Sequence, residues 1–557
     1  MLHKIMRAIF RRLWGVFRNS PCQRKIHTKN YHRTITGDKI VDNQESTLTG
    51  RMLAYFNSEN TTGQTRTEKN LRKVVSSIRS LGIRQNVPER EKYLKLLNTL
   101  DDECSEKIKK LESAQIFEIL YEYMKVIPNR IIDYRFYNSA VSELVTRIDT
   151  LGRKEIVQLI FYIALKKKQA DHHLLRKCIN SLGDAIKSLS PEDLCVICNA
   201  TYKTSTVINN HDFLNKVLSS LNDNLYIFQD PPLLITLIKT VRQNRYQTED
   251  LLATVTCAIF FNKNIERYSF VALCHMLALY SDFLYFDENI VEVFTERCIL
   301  LLKENKFTEM AKYTPDIPRM KDIKRLLWSL SNLNAKYLKE SDIENVIVPN
   351  ILSRMEAGEL KNDRATLIEM VLYLWMLNYR AYELMPFALT EENIAFIKAT
   401  DSPTKLRLNL LLACMFYEDR GMFREFNIQP ESDMPYDQSR QLRKRPVLQR
   451  IFDNTKHIKF RTAINRYEMS CQIPGLNILG ITAYNKSIYK VLHMEVMDEY
   501  TRLKNVKEII PSGLMELKLR LLEKQNEGIL LIYSEEVKSM DDEELHRYLL
   551  EEIVLVC

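Results

Sequence analysis

The sequence predicts a mainly α protein: α-solenoid-like helical repeats followed by a small C-terminal α/β domain. Three observations predict it. Glycine and proline are scarce, 13 and 16 among 557 residues, while 45% of the chain is hydrophobic, which favours helix over sheet and allows a large core. Amphipathic helix cores recur near Ile116, Ile156, Leu194, Leu233, Phe270, Ile323 and Ile368, at separations of 40, 38, 39, 37, 53 and 45 residues. Only near the C-terminus does the apolar period shorten to that of strands, in Ile488–Val496 and Ile529–Tyr533.

The first 37 residues hold nine basic side chains and no acid: Lys4, Arg7, Arg11, Arg12, Arg18, Arg24, Lys25, Lys29 and Arg33. Leu2, Ile5, Met6, Ile9, Phe10, Leu13 and Phe17 share one helical face, opposite Lys4, Arg7, Arg11 and Arg18. An amphipathic, Arg-rich, acid-free start is the composition of a mitochondrial transit peptide, and charges interrupt every apolar run that a secretory signal would need. A membrane-surface helix or a basic arm would share the pattern. The whole chain has 80 Lys+Arg and 71 Asp+Glu, so removing these nine leaves a balanced remainder. A nucleic-acid site must then be a local patch.

Residues 38–110 are more polar, with two or three short helices expected from Glu68 onward. Residues 111–400 read as the helical array, in which Ser190-Pro191 and Asp230-Pro231 each put a capping residue before a proline at the first helical position. An irregular bundle would give similar stripes. Stacked helix pairs build a long concave surface suited to an extended peptide or to single-stranded RNA. Lys166, Lys167, Lys168, Arg176 and Lys177 are candidates to line it, or to cap helix ends. The longest nearly apolar stretch, Leu251–Phe261, is too short to span a bilayer. Eleven cysteines without paired spacing suit a reducing compartment. The one CxxC, Cys195 and Cys198, has His172, His173 and His211 near in sequence. It sits in an apolar helical pattern, so buried thiols are expected and no metal or cofactor is assigned.

Residues 401–483 contain a basic bridge. Arg440, Arg443, Lys444, Arg445, Arg450, Lys456, Lys459, Arg461 and Arg466 occur with a single acid, Asp453, and with Phe452, His457, Phe460 and Tyr467 interleaved. Cations with planar groups between them are what a single strand of nucleic acid requires, phosphates to pair and bases to stack. The bridge also matches an acidic tail, since residues 535–552 hold eight acids and two bases. Residues 484–557 form the α/β unit. After the strand of Ile488–Val496, Ser512 caps a helix running to about Asn526, Gly528 ends it, a buried strand follows, and Asp541 with Glu544 opens a last helix.

The run Gly513-x-x-x-Leu517-Lys518-x-Arg520-x-Leu522, then Gly528, an apolar strand and Tyr533-x-Glu535, resembles a RAP domain. Leu326-Leu-Trp-Ser-Leu-Ser-Asn-Leu-Asn334 and Leu372-Tyr-Leu-Trp-Met-Leu-Asn-Tyr379 resemble FAST-type helical repeats, which would begin at about residue 320. The segment from Leu406 to about Gly480 resembles, more weakly, a second FAST region. That order, behind a transit peptide, is similar to the FAST-kinase-domain (FASTK) family. The resemblance implies a mitochondrial matrix protein that binds organelle RNA (mRNA, rRNA or precursor transcripts) and acts in its processing, in its stability or in ribosome biogenesis. Its partners would include ribonucleoprotein-granule or mitoribosome proteins.

The RAP unit is similar to restriction-endonuclease-like folds. On that likeness Glu495 and Asp498 fall near the position of nuclease acids and are weak catalytic candidates. The usual Asp-Gly-Pro-x-His is reduced to Met497-Asp498-Glu499-Tyr500, and the Trp expected after Tyr533 is missing. No G-x-G, P-loop, HRD or DFG occurs, so no kinase is expected despite the family name, and the chain is read as a non-enzyme. A helical protein-interaction scaffold is the alternative reading, and a metal-dependent ribonuclease the third.

Overall fold

The computed structural model describes residues 51–52, 90–127, 130–262, 265–304, 317–360, 363–399, 403–431, 438–458, 464–485, 490–525 and 527–556. The transit-peptide pattern of residues 1–37, most of the polar segment, and Lys459 and Arg461 lie outside the described residues.

The chain is mainly helical, with a four-stranded mixed sheet near the C-terminus. From Arg90 the described chain runs through α1 (Arg90–Lys107), α2 (Ser113–Val126) and α3 (Arg135–Thr146). Asp101 of α1 accepts the free N–H groups at the start of α3, from Arg135 at 2.9 Å and Phe136 at 3.0 Å. The described end of the polar segment, from Arg90, is thus a helix packed on the body, and the short helices expected from Glu68 fall mostly outside the described residues.

Then comes a row of seven helices, each packed on the next: α4 (Arg153–Ala164), α6 (Pro191–Thr204), α8 (Pro231–Asn244), α10 (Phe270–Phe283), α12 (Met320–Asn332), α14 (Arg364–Met376) and α16 (Pro403–Glu418). Between members of the row lie α5 (His172–Ser181), α7 (His211–Asp223), α9 (Glu249–Asn262), α11 (Glu288–Glu304), α13 (Val348–Glu356) and α15 (Glu391–Lys398). Of these, α5, α7 and α11 pack beside the row and α9 packs on α7. The row is built from the apolar stripes of the sequence, and Leu194, Leu234, Leu273, Leu326, Ile368 and Leu411 are all buried.

The starts of these helices follow the residues foreseen. The Ser190 hydroxyl accepts from Asp193 N at 3.2 Å and the Asp230 carboxylate from Leu233 N at 3.3 Å, each ahead of a first-turn proline. The ends repeat a motif that was not foreseen. Just past α6, α8 and α10, and two residues past α12 and α14, a residue is left-handed: Ser205, Arg245, Leu284, Asn334 and Asn378. In each the following N–H closes back onto the carbonyl five residues earlier: Thr206 to Thr201, Tyr246 to Val241, Tyr285 to Tyr280, Ala335 to Leu330 and Tyr379 to Leu374. This closure ordinarily uses glycine, and three of the five positions carry neither Gly nor Asn, so sequence gave no warning of it.

Cys195 and Cys198 lie buried inside α6, and burial pushes the Cys198 thiol up. The Cys198 carbonyl accepts from Thr240 of the next row helix at 3.2 Å, while His172 Nδ1 lies 2.8 Å from Thr206 Oγ1. Among the described residues no three His, Cys, Asp or Glu gather as a metal set. No described helix is long and apolar enough to cross a membrane.

After α17 (Gln438–Lys444) and α18 (Pro446–Ile458) come β1 (Ile464–Ser470), β2 (Gly480–Asn485) and β3 (Lys490–Met497). Then α19 (Gly513–Glu523) crosses to β4 (Gly528–Tyr533), and α20 (Asp542–Val556) follows. The sheet order is β1-β2-β3-β4. The first two pairings are antiparallel; β3 and β4 are parallel, with Met494 opposite both Ile481 and Leu530. Leu492, Met494 and Val496 of β3 enter a core with Leu448 and Ile451 of α18 and Leu545 and Leu549 of α20. A domain boundary at 484 therefore cuts through β2, and the α/β module takes in both new strands and α18. The strand β1 escaped the sequence because it is a polar edge strand with a register shift between Ile464 and Arg466, which spoils the two-residue alternation, and β2 because it is short and buried on both faces.

Candidate nucleic-acid interface

The basic bridge splits into inward and outward residues. Arg445 stands between α17 and α18, where Pro446 prevents the first helix from continuing into the second. Its side chain is only 4% exposed. It donates from Nε to Asp498 Oδ2 at 2.6 Å, from Nη1 to Leu479 O at 2.7 Å and from Nη2 to Val496 O at 2.8 Å. A guanidinium with its donors so engaged is a fixture of the core, and Arg445 leaves the set of phosphate contacts. Arg450 turns to the acidic tail: Nη2 meets Asp542 Oδ1 at 2.8 Å and Met540 O at 2.7 Å, and Nη1 meets Val537 O at 3.2 Å. The internal match of bridge and tail thus holds at this residue.

The other described members face outward. Lys456 makes an exposed pair with Asp453 at 2.7 Å. Arg466 pairs with Glu468 at 2.9 Å and lies over the Tyr484 ring, 5.8 Å from its centroid. Arg440, Arg443 and Lys444 are exposed on α17. Lys444 Nζ stands 5.8 Å from the ring centroid of Tyr500, itself 50% exposed.

Glu495 and Asp498 are held by internal cations. Lys518 of α19 and Glu495 of β3 are both fully buried, with Nζ 2.6 Å from Oε2 and 3.1 Å from Ile478 O. Burial pulls the Lys518 ammonium below its ordinary pKa, against the opposing pull of Glu495. Asp498 accepts from Arg445 and, through Oδ1, from Tyr500 N at 3.0 Å, so it closes the turn after β3. Among the described residues, Glu495 Oε1 and both polar ends of Gln472 are buried without a partner.

The remaining motif residues fasten the module to the helical row. A Cβ on Gly513 would stand 1.6 Å from Ser331 O, so only glycine lets the start of α19 approach the end of α12. Gly475, at φ +77°, likewise lies against the backbone of Leu406 and Leu410 in α16. Leu517 is fully buried, and Arg520 donates to Glu418 at 2.5 Å and to Trp375 O at 3.1 Å. Glu418 also accepts from Trp375 Nε1 at 2.5 Å and pairs with Arg380 at 3.3 Å, while Arg380 stacks over Trp375 at 4.5 Å. Farther along, Lys504 N donates to Leu284 O at 2.7 Å and its ammonium lies 3.7 Å from the centre of the Phe283 ring. Sequence reasoning passed over Glu418; its only signal was a lone acid closing the apolar run of α16.

The lysine run does not form one wall. Lys166 lies over the Tyr137 ring at 5.7 Å, Lys167 and Lys168 are exposed in the turn after α4, and Arg176 donates to Val207 O at 3.0 Å.

Fold and surface together define a helical protein with an α/β module docked on its row and a cationic, aromatic-flanked edge on that module. No family model matches the chain, and no curated protein is similar to it.

Proposed function

We propose that this is a mitochondrial RNA-binding protein of FASTK type, in which an α-solenoid carries a RAP-like module. It would act in the matrix on organelle mRNA, rRNA or precursor transcripts, beside granule or mitoribosome proteins. The observation that carries the reading is the α17 edge: Arg443 and Lys444, exposed and without an ion pair among the described residues, next to the open ring of Tyr500. Cations there can meet phosphates while the ring takes a base. The recurrent helix closures from α6 to α14 favour a solenoid over an irregular bundle. The acid-free presequence supports the matrix.

The ribonuclease reading loses ground, because Glu495 and Asp498 already neutralise Lys518 and Arg445 and have no second charge to offer a divalent cation. The scaffold reading rests on the same row of helices without the charged edge.

Crosslinking and sequencing of bound RNA, comparing wild type with Arg443→Glu/Lys444→Glu, tests the proposal. Enrichment of mitochondrial transcripts that falls in the variant is the expected result. No RNA in either protein would leave the scaffold.

A further inference from the structure

A second cationic cluster lies on the helical row, gathered from residues far apart in the chain. Lys239 and Arg242 come from α8, and Arg319, Lys321 and Arg325 come from the start and first turns of α12. Between these helices His275 of α10 is buried, its Nδ1 3.1 Å from Arg242 Nη1. Two acids pair with members of this set, and a third, Glu359, lies near Lys321 but is paired with Arg354. Asp282 takes Arg242 at 2.6 Å, and the fully buried Asp322 is shared by Arg319 at 2.7 Å and Arg325 at 2.9 Å. Among the described residues Lys239 and Lys321 make no ion pair.

Folding alone gives no reason to gather such charges. Burial, then Arg325 and the neighbouring cations, pushes Lys239 down to about 8, and the same surroundings push His275 far below its ordinary range. An incoming anion would relieve both effects. Tyr202 stands at the rim, 38% exposed, with Lys239 Nζ 5.2 Å from its centroid and the His275 ring 6.5 Å away. Lys324 of α12 and Arg407 of α16 both pair instead with Glu369 of α14.

We infer that Lys239, Lys321, Arg319 and Arg325, with Tyr202 as a stacking surface, form a binding site for phosphate groups on the helical row, separate from the α17 edge. Two sources fit this chemistry, the phosphodiesters of a single strand and the free phosphates of a nucleotide. The site does not require the RNA reading.

The test uses the full chain and the variant Lys239→Gln/Lys321→Gln, chosen because neither lysine makes an ion pair. Anisotropy with a single-stranded RNA oligonucleotide and calorimetry with inorganic tripolyphosphate supply the two arms. The variant should keep or raise its thermal midpoint, because it removes unanswered charge, and should bind about tenfold more weakly. For the oligonucleotide, two lost phosphate contacts should lower the slope of log affinity against log salt by about 1.4. Loss in the oligonucleotide arm assigns the site to a strand. Binding of tripolyphosphate alone, lost in the variant, assigns it to free phosphates and would overturn the RNA proposal while leaving this one standing. Equal binding by variant and wild type, or no binding of either probe by wild type, overturns the inference.

Discussion

The molecule's two cationic regions are built in opposite ways. The basic bridge is continuous in sequence and scattered in space: Arg445 faces the core, Arg450 the tail, and Arg443 and Lys444 the solvent. The cluster on the row is scattered in sequence, from Lys239 to Arg325, and gathered in space. A charge run read along the chain overstates a site, because helix and turn geometry point successive residues in different directions. A site assembled across stacked helices leaves no run to read.

The largest expected effect separates the members of the bridge. Arg445→Ala leaves Asp498 buried without its cation and should destabilise by about 3–5 kcal/mol in urea unfolding. A loss below about 1 kcal/mol would return Arg445 to the surface set. Next, Gly513→Ala forces α19 away from Ser331 and should cost about 1–3 kcal/mol. Faster proteolysis of the loop before α19 would accompany it, and an unchanged cleavage rate would count against the docking. Arg443→Glu/Lys444→Glu should weaken RNA binding at least about tenfold with the unfolding midpoint unmoved.

The fourth prediction concerns pH and belongs to the row. Lys239 faces Tyr202, His275, Asp322 and the cations Arg319, Lys321 and Arg325. Its folded pKa is about 8, below the ordinary value near 10.5, so it sheds its proton between pH 7 and 9 only in the folded chain. Phosphate affinity should fall over that range, while this lysine's contribution to stability rises. Parallel slopes would show that Lys239 is not the titrating group. The smallest effect is at Lys456→Ala, where an exposed pair three residues apart should contribute within about 0.5 kcal/mol.

Much of the fold was legible, because the signals that specify it are local. Helix spacing, the caps at Ser190 and Asp230, and the capping box of Asp541 and Glu544 depend on residues a few positions apart. The strands β1 and β2 were not legible, since their pairing is set by neighbours: β1 is polar and irregular, and β2 is buried on both faces without alternation. At the candidate site, sequence marked Gly513, Lys518 and Arg520 but not their task. Only the tertiary partners Ser331, Glu495 and Glu418 reveal that these residues fasten and neutralise.

The fastening has a mechanical consequence. The loop at Lys504 grips the end of α10, Gly513 the end of α12, Arg520 the ends of α14 and α16, and Gly475 the middle of α16. One block is thus riveted to four successive members of the row and acts as a splint. A row of stacked helices is otherwise compliant, each joint yielding a little to load. Here the yielding belongs to the unsplinted stretch from α4 to α8, so a ligand that spans α8 and α12 would straddle the joint between the elastic and the stiff halves.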